Sequence, residues 1–361
     1  MKMKKTLSLV LAAIMIIAPA TGAVAATAAS DEHGAYTPIP DNVRGISIIY
    51  GCDSREGSIV ADGISFFQKL LHDRSGGKIS LEAHFNATLG TTNSEIFESV
   101  CAGDIDMTIG TPGSALLGGD TGILDVPALF ADWDKLWKCL QEGEFHDELV
   151  KLAANKGATA LYFAPKSYRV MTSRIPINTL EDIQGLKMRL PANPVWLSMW
   201  SRLGAVVVSI PMSEVYISLQ QGVADAQENS WEQIVNNNLL EVKRYLIYTN
   251  HVHDSFGLYI NTDFYESFDP AIRTLFDESL KVLYAWYDEN VDVYLEQIEK
   301  LAEAQAERHG STFMEPNPSL MRDMADATED IVREVRSYSA TADRMATLAL
   351  IAMGHDPDFG K

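Results

Sequence analysis

The chain has 361 residues, 47% of them apolar and 22% charged, with three cysteines. That composition excludes wholesale disorder, collagen-like repeats and a disulfide-stapled miniprotein, and the length predicts about two domains, each able to bury its own core. Lys and Arg number 29 against 49 Asp and Glu, a formal charge of −20, and such a surface repels phosphate backbones and argues against a general nucleic-acid role.

The first 25 residues have the three-part layout of a secretory signal peptide. Lys2, Lys4 and Lys5 precede an apolar run from Leu7 to Ala18, and Ala23-Val24-Ala25 supplies the small residues of a cleavage site. The run is shorter than the roughly 20 residues a spanning helix needs, so export is expected, and the short Lys-rich start looks bacterial. No later segment is apolar for long enough to span a bilayer. Residues 26–44 are small, polar and proline-containing, and read as a disordered or extended lead-in.

Strands and helices then alternate, which predicts an α/β fold with largely parallel sheets. Strands are expected at 46–51, 78–85, 105–109 and 158–164, with helices at about 58–72, 93–102, 132–140 and 144–156. Ser75-Gly76-Gly77 ends the first helix with a glycine C-cap. A second unit follows, with Thr179 and Asp182 spaced as a capping box, a strand at 186–190, a helix at 194–203 opened by Asn193-Pro194, and a strand at 206–210. Ser213 is expected to cap the next helix, which Gly222 ends. From Asp269-Pro270 to Gly310 the apolar positions keep spacings of three and four. That is about 40 residues, roughly 60 Å of helix, too long for one small core, so a strut bridging two lobes is expected. Residues 319–351 read as further helix packed on the second lobe.

GxSxG, HExxH, P-loop and GxGxxG motifs are absent. Ser75-Gly76-Gly77-Lys78 matches SxxK, but at a turn and without its companion motifs. His251-Val252-His253 puts two imidazoles on one strand face; with no third ligand near in sequence they read as ordinary polar histidines. Cys52, Cys101 and Cys139 lack CxxC spacing and sit in apolar stretches. They are expected as buried free thiols, although an exported protein permits a disulfide. Arg169, Arg174, Lys187 and Arg189 form a basic group. Arg174 and Lys187 read as solvated, whereas Arg189 ends a strand just before a Pro-initiated helix, where α/β proteins collect anions and a guanidinium can grip a carboxylate with two hydrogen bonds.

Several blocks together carry a resemblance. They are SGGKISLEAHFNATLG at 75–90, AGDIDMTIG at 102–110, VPALF at 126–130, GLKMRLP at 185–191, LGA at 203–205 and PMSEVYISLQQGVADAQENSWEQI at 211–234, followed by Val242–Leu246 and Thr249-Asn250-His251. Across nearly all of residues 45–340 the chain resembles the extracytoplasmic solute-binding subunits of tripartite ATP-independent periplasmic (TRAP) transporters, DctP type. The resemblance implies a periplasmic-binding-protein-like α/β fold, two lobes around a ligand cleft with the long helix spanning both. It sets lobe I at 45–166 plus about 254–290 and lobe II at 167–253 plus about 291–361. Hinge closure on an organic acid and delivery to membrane permease subunits are implied, in the periplasm. No enzyme activity, cofactor, metal or nucleic acid is implied, and a monomer is the default.

By the same resemblance Arg189 takes the place of the carboxylate-holding arginine, Arg169 in SYRVMTS assists, and Asn229 in DAQEN, with Ala226 where the motif has glycine, reaches the ligand. Asp53, Thr111, Ser114, Met212 and Ala192 fall at pocket positions that sugar-acid binders fill differently. Trp196 and Trp231, beside motif positions, either line the pocket or belong to the core. Asp53 either meets a ligand hydroxyl or ammonium or caps a turn. These departures lean toward a small or aromatic hydroxy- or amino-monocarboxylate. The alternatives are a uronate-type sugar acid and a sensory receptor with the same pocket.

Overall fold

The computed structural model describes residues 29–361; the signal-peptide reading of residues 1–25 lies outside them. The described strands are β1 (Ala29–Asp31), β2 (Gly34–Tyr36), β3 (Ile46–Gly51), β4 (Ile79–His84), β5 (Met107–Gly110), β6 (Ala158–Ser173), β7 (Lys187–Leu190), β8 (Val206–Ser209), β9 (Ala226–Ser230), β10 (Tyr245–Asn261) and β11 (Thr312–Met314).

The lead-in is not a loose segment. β1 and β2 pair as an antiparallel hairpin. Buried Arg74 pins it by donating to both oxygens of Asp31 at 2.7 and 2.9 Å, and Thr37 donates to Glu278. Low hydrophobicity in the sequence hid this tether, because the partners lie far along the chain.

The remaining strands form one sheet in the order β4-β3-β5-β10-β6-β9-β7-β8, with β11 added alongside β10. Two parallel groups, β4-β3-β5 and β9-β7-β8, flank the long antiparallel pair β6 and β10. Crossover helices join the parallel strands, as they must: Ile59–Ser75, Asn93–Ala102, Pro194–Arg202 and Met212–Gln220. Their ends follow local chemistry. Ser58 accepts from the Ala61 amide at the start of the first, Gly76 closes it at φ 60°, and Asn193 caps the Pro-initiated third. Ser213 lies inside the fourth helix, which begins after Pro211 without a side-chain cap.

β6 runs well past the expected end at residue 164. Pro165 pairs with Ser255 and Ser167 with Asp254, which leaves Lys166 as an extra residue between them. A bulge tolerates the missing proline N–H and re-aims the side chain next to it. The sequence reading put only His251-Val252-His253 of β10 on a strand, because its middle, Asn250 to Ser255, is mostly polar yet buried from His251 onward.

The long helix is Pro270–His309, capped by Asp269 and closed by Gly310 at φ 65°. Ile272 to Val291 pack into a core with β3, β4 and the helix Ile59–Ser75. Ile298, Ala302 and Ala306 pack into another, with Val215, Leu219, Ile234 and Leu246. One helix therefore belongs to two cores. A third core gathers the helices Trp133–Gln141, Glu144–Ala154 and Pro194–Arg202 with the C-terminal helices Pro318–Asp326, Thr328–Arg336 and Ala340–Met353. The last of these reaches over the first-half segments instead of staying on the second. Lys135 donates to the Met353 carbonyl at 2.9 Å, and Arg344 pairs with Glu144 and Glu148. All three cysteines are free; Cys52 and Cys139 are buried, while Cys101, expected buried, is only partly so. Among the described residues no helix is long and apolar enough to cross a membrane.

Candidate functional site

A cavity of about 410 Å³ opens where the two parallel strand groups meet the β6–β10 pair. That is a volume suited to a small ligand. Its wall includes Asp53, Thr111, Arg169, Arg189, Ala192, Trp196, Met212 and Asn229. Eight positions named from the sequence thus come together from segments up to 176 residues apart.

Arg189 lies next to the end of β7 and is 1% exposed. Nε donates to the Ile210 carbonyl at 2.8 Å, while Nη1 is buried without a hydrogen-bond partner. Burial, together with the like charge of Arg169, pulls this guanidinium down to about 10, against the opposing attraction of Glu228. It remains a cation at neutral pH. A buried charge with an open donor is costly unless an anion meets it.

Arg169 is already engaged. Nε and Nη2 donate to the two carboxylate oxygens of Glu228 at 2.6 and 2.9 Å, and Nη1 stands 3.9 Å from Asp254. Its guanidinium also lies over the Trp196 ring, 4.2 Å from the centroid, a favourable cation–π arrangement. Glu228 is gripped again by His251 Nε2 at 3.2 Å, and Thr249 meets His251 Nδ1 at 2.8 Å. Burial works against the Glu228 charge, but Arg169 and His251 outweigh it and hold the carboxyl at about 2. Arg169 is thereby fixed in place, with much of its donor capacity used.

A polar clasp supports the wall. Asn193 Oδ1 accepts from the Trp196 amide at 3.1 Å and from the Ser114 hydroxyl at 3.3 Å. Trp196 Nε1 donates to the Asp125 carbonyl at 3.0 Å, and the Asp125 carboxylate accepts from the Ser114 amide at 2.7 Å. Ser114 therefore stands in the clasp and not in the wall. Gly113 permits it, since a Cβ there would come 2.2 Å from Asp125 Oδ1. Asn229 donates weakly to Met212 Sδ at 3.5 Å and Gln227 Oε1 at 3.4 Å, contacts a ligand can displace.

Trp231 is absent from the wall. It packs with Tyr248 and Phe313 in the core around Ile298. His251 and His253, read as ordinary polar histidines, are both buried. His253 lies between Trp133 and Tyr168, where burial lowers its imidazole to about 4. Among the described residues no group of three or more His, Cys, Asp or Glu is arranged to hold a metal.

The sequence reading missed Asn93, Asp125, Lys166 and Asp254 in the wall and Glu228 behind it. Glu228 had a signal, since it stands beside Asn229 inside DAQEN. The others had none, because their partners are brought by the fold.

The family model for bacterial extracellular solute-binding proteins, family 7 (DctP), matches residues 52–338. The C4-dicarboxylate-binding periplasmic protein DctP of Rhodobacter capsulatus is 28% identical over 222 residues, 60% of this chain and 66% of that one. The 2,3-diketo-L-gulonate-binding periplasmic protein YiaO of Escherichia coli is 31% identical over 209 residues, 57% of this chain and 63% of that one. These matches thus span just under two thirds of the relatives' lengths. A TRAP periplasmic solute-binding protein of Desulfovibrio salexigens with bound orotic acid superposes with a TM-score of 0.77 at 21% identity, covering 85% of this chain and 98% of that one. That likeness establishes the shared fold.

Proposed function

The chain belongs to the bacterial extracellular solute-binding proteins of family 7, and on that footing we propose that it captures a small organic carboxylate in the 410 Å³ cavity and delivers it to TRAP permease subunits in the membrane. The observation that carries the ligand class is Arg189, a buried cation at the wall with an unpartnered Nη1. A carboxylate would supply the missing anion and accept that donor. Arg169 supports the same end electrostatically, and Asn229 orients the ligand by exchanging its weak contacts for better ones.

Two features favour a monocarboxylate. Glu228 already occupies Arg169, which leaves one guanidinium with an open face. Part of the wall, with Ile109, Leu116, Trp196, Met212 and Phe256, is apolar and fits a small aliphatic or aromatic body carrying a hydroxyl or amino group. In this reading the cleft lies between lobe I (45–166 plus about 254–290) and lobe II (167–253 plus about 291–361), joined by β6, β10 and the long helix. The protein works as a periplasmic receptor without turnover of its ligand.

The test is a thermal-shift screen of carboxylic acids on protein stripped of ligand by unfolding and refolding. Ligands that bind only the native state raise the midpoint by mass action. Arg189→Ala should weaken the best ligand at least about thirty-fold, the low end of the effect of removing one partner of a buried charge pair. Near-native affinity in that variant, or no carboxylate hit at all, overturns the proposal.

A further inference from the structure

The charges around the cavity do not balance. Lys166, Arg169 and Arg189 line it, as do Asp53, Asp125 and Asp254. Glu228 stands directly against Arg169, and Glu232 lies 3.4 Å from Lys166. All except the partly exposed Asp53 are more than nine-tenths buried. Three cations, with His251 against Glu228, thus face five carboxylates, and a ligand carboxylate on Arg189 would add another anionic group.

The excess is not evenly spread. Glu228, Asp254 and Asp125 all act on Arg169, whereas Asp53, Asp254 and Glu232 share Lys166. The bulge at Pro165–Ser167 leaves Lys166 3.4 Å from Glu232, so Asp53 shares its nearby cation with Glu232 and Asp254. Asp254 meets Arg169 Nη1 only at 3.9 Å. Asn93 Oδ1, on the same part of the wall, is a buried acceptor without a donor. The cavity wall therefore holds an unused donor on Arg189 and, beside Asp53, an unused acceptor on Asn93.

We infer that the ligand is zwitterionic: besides the carboxylate that meets Arg189, it carries a protonated nitrogen that seats against Asp53, Asp254 and Asn93. This rests on the carboxylate reading above and narrows it. A hydroxyl would donate one hydrogen bond but leave the surplus negative charge in place, whereas an ammonium does both. Burial raises the Asp53 carboxyl, which is the condition a ligand cation relieves.

The test uses matched probes that share a skeleton: alanine, lactate and propionate; 4-aminobutyrate, 4-hydroxybutyrate and butyrate; phenylalanine, 3-phenyllactate and 3-phenylpropionate. Each is titrated calorimetrically into the ligand-stripped full chain. In the skeleton that fits, the amino member should bind at least about tenfold tighter than its hydroxy and unsubstituted counterparts. Asp53→Asn, at a partly exposed position, should erase most of that preference by weakening the amino acid far more than the hydroxy acid. A hydroxy or unsubstituted acid binding as tightly as its amino partner overturns the inference while the carboxylate reading stands. So does an amino preference that survives both Asp53→Asn and Asp254→Asn. Loss of every carboxylate from the binding profile overturns both.

Discussion

Replacing Arg189 with methionine should stabilise the ligand-free protein and abolish binding. Methionine keeps an unbranched stem of similar reach and removes the charge. Held at about 10 where a guanidinium ordinarily stands at 12.5, buried Arg189 costs the empty fold about 3 kcal/mol at neutral pH. The sign follows from its being a base with a lowered value. The penalty is fully present below about 10 and disappears as pH climbs from there through 12.5. Against that recovery, Arg189→Met loses one hydrogen bond to the Ile210 carbonyl, about 1 kcal/mol. The net gain is about 2 kcal/mol, a rise in melting temperature of roughly 3 °C. Differential scanning calorimetry on stripped proteins reads this directly. With saturating carboxylate the order should reverse, because only the wild type is stabilised further. A variant that melts below the wild type without ligand would refute the claim that Arg189 is an uncompensated charge awaiting an anion.

Acid should weaken the fold through Glu228. Its carboxyl is held at about 2 against an ordinary 4.5, so its stabilisation of about 3 kcal/mol is present above 4.5 and is lost as pH falls toward 2; urea midpoints between pH 6 and 3 should decline, and Glu228→Gln should flatten the decline. Thiol labelling of the native protein should modify Cys101 alone at an appreciable rate, since burial pushes Cys52 up to about 11 and Cys139 up to about 12. All three cysteines should react after denaturation.

The fold was legible wherever local chemistry fixes it. Gly76, Gly103 and Gly310 stop helices by adopting the left-handed region, and Asn193-Pro194 starts one. The 40-residue periodicity predicted a strut, and the structure provides one. Legibility failed where long-range pairing overrides local preference. Pro165 looked like a strand end, yet it falls at a register slip that absorbs it. The hairpin at 29–36 depends on Arg74 and Glu278, which no local pattern announces. In the site, Arg189, Arg169 and Asn229 were readable from motif position. Lys166 was not, because an isolated lysine in a sequence reads as solvated; only the bulge and the three acids around it explain its burial. Trp231, left open between pocket and core, faces an aromatic cluster supplied by Tyr248 and Phe313, partners that its place next to a motif does not reveal.

The helix shared by two cores also has a kinetic consequence. The core that begins at Ile39 and Ile48 is completed only by Phe256 to Val291, and the core around Val215 waits for Ala306. A fragment that stops before the long helix therefore holds neither core complete, and neither half can reach its native packing while the last hundred residues are missing. Contacts of such long sequence separation make folding slow and make it a single late event. An emerging chain stays open until almost all of it is available, then closes both halves around one common element.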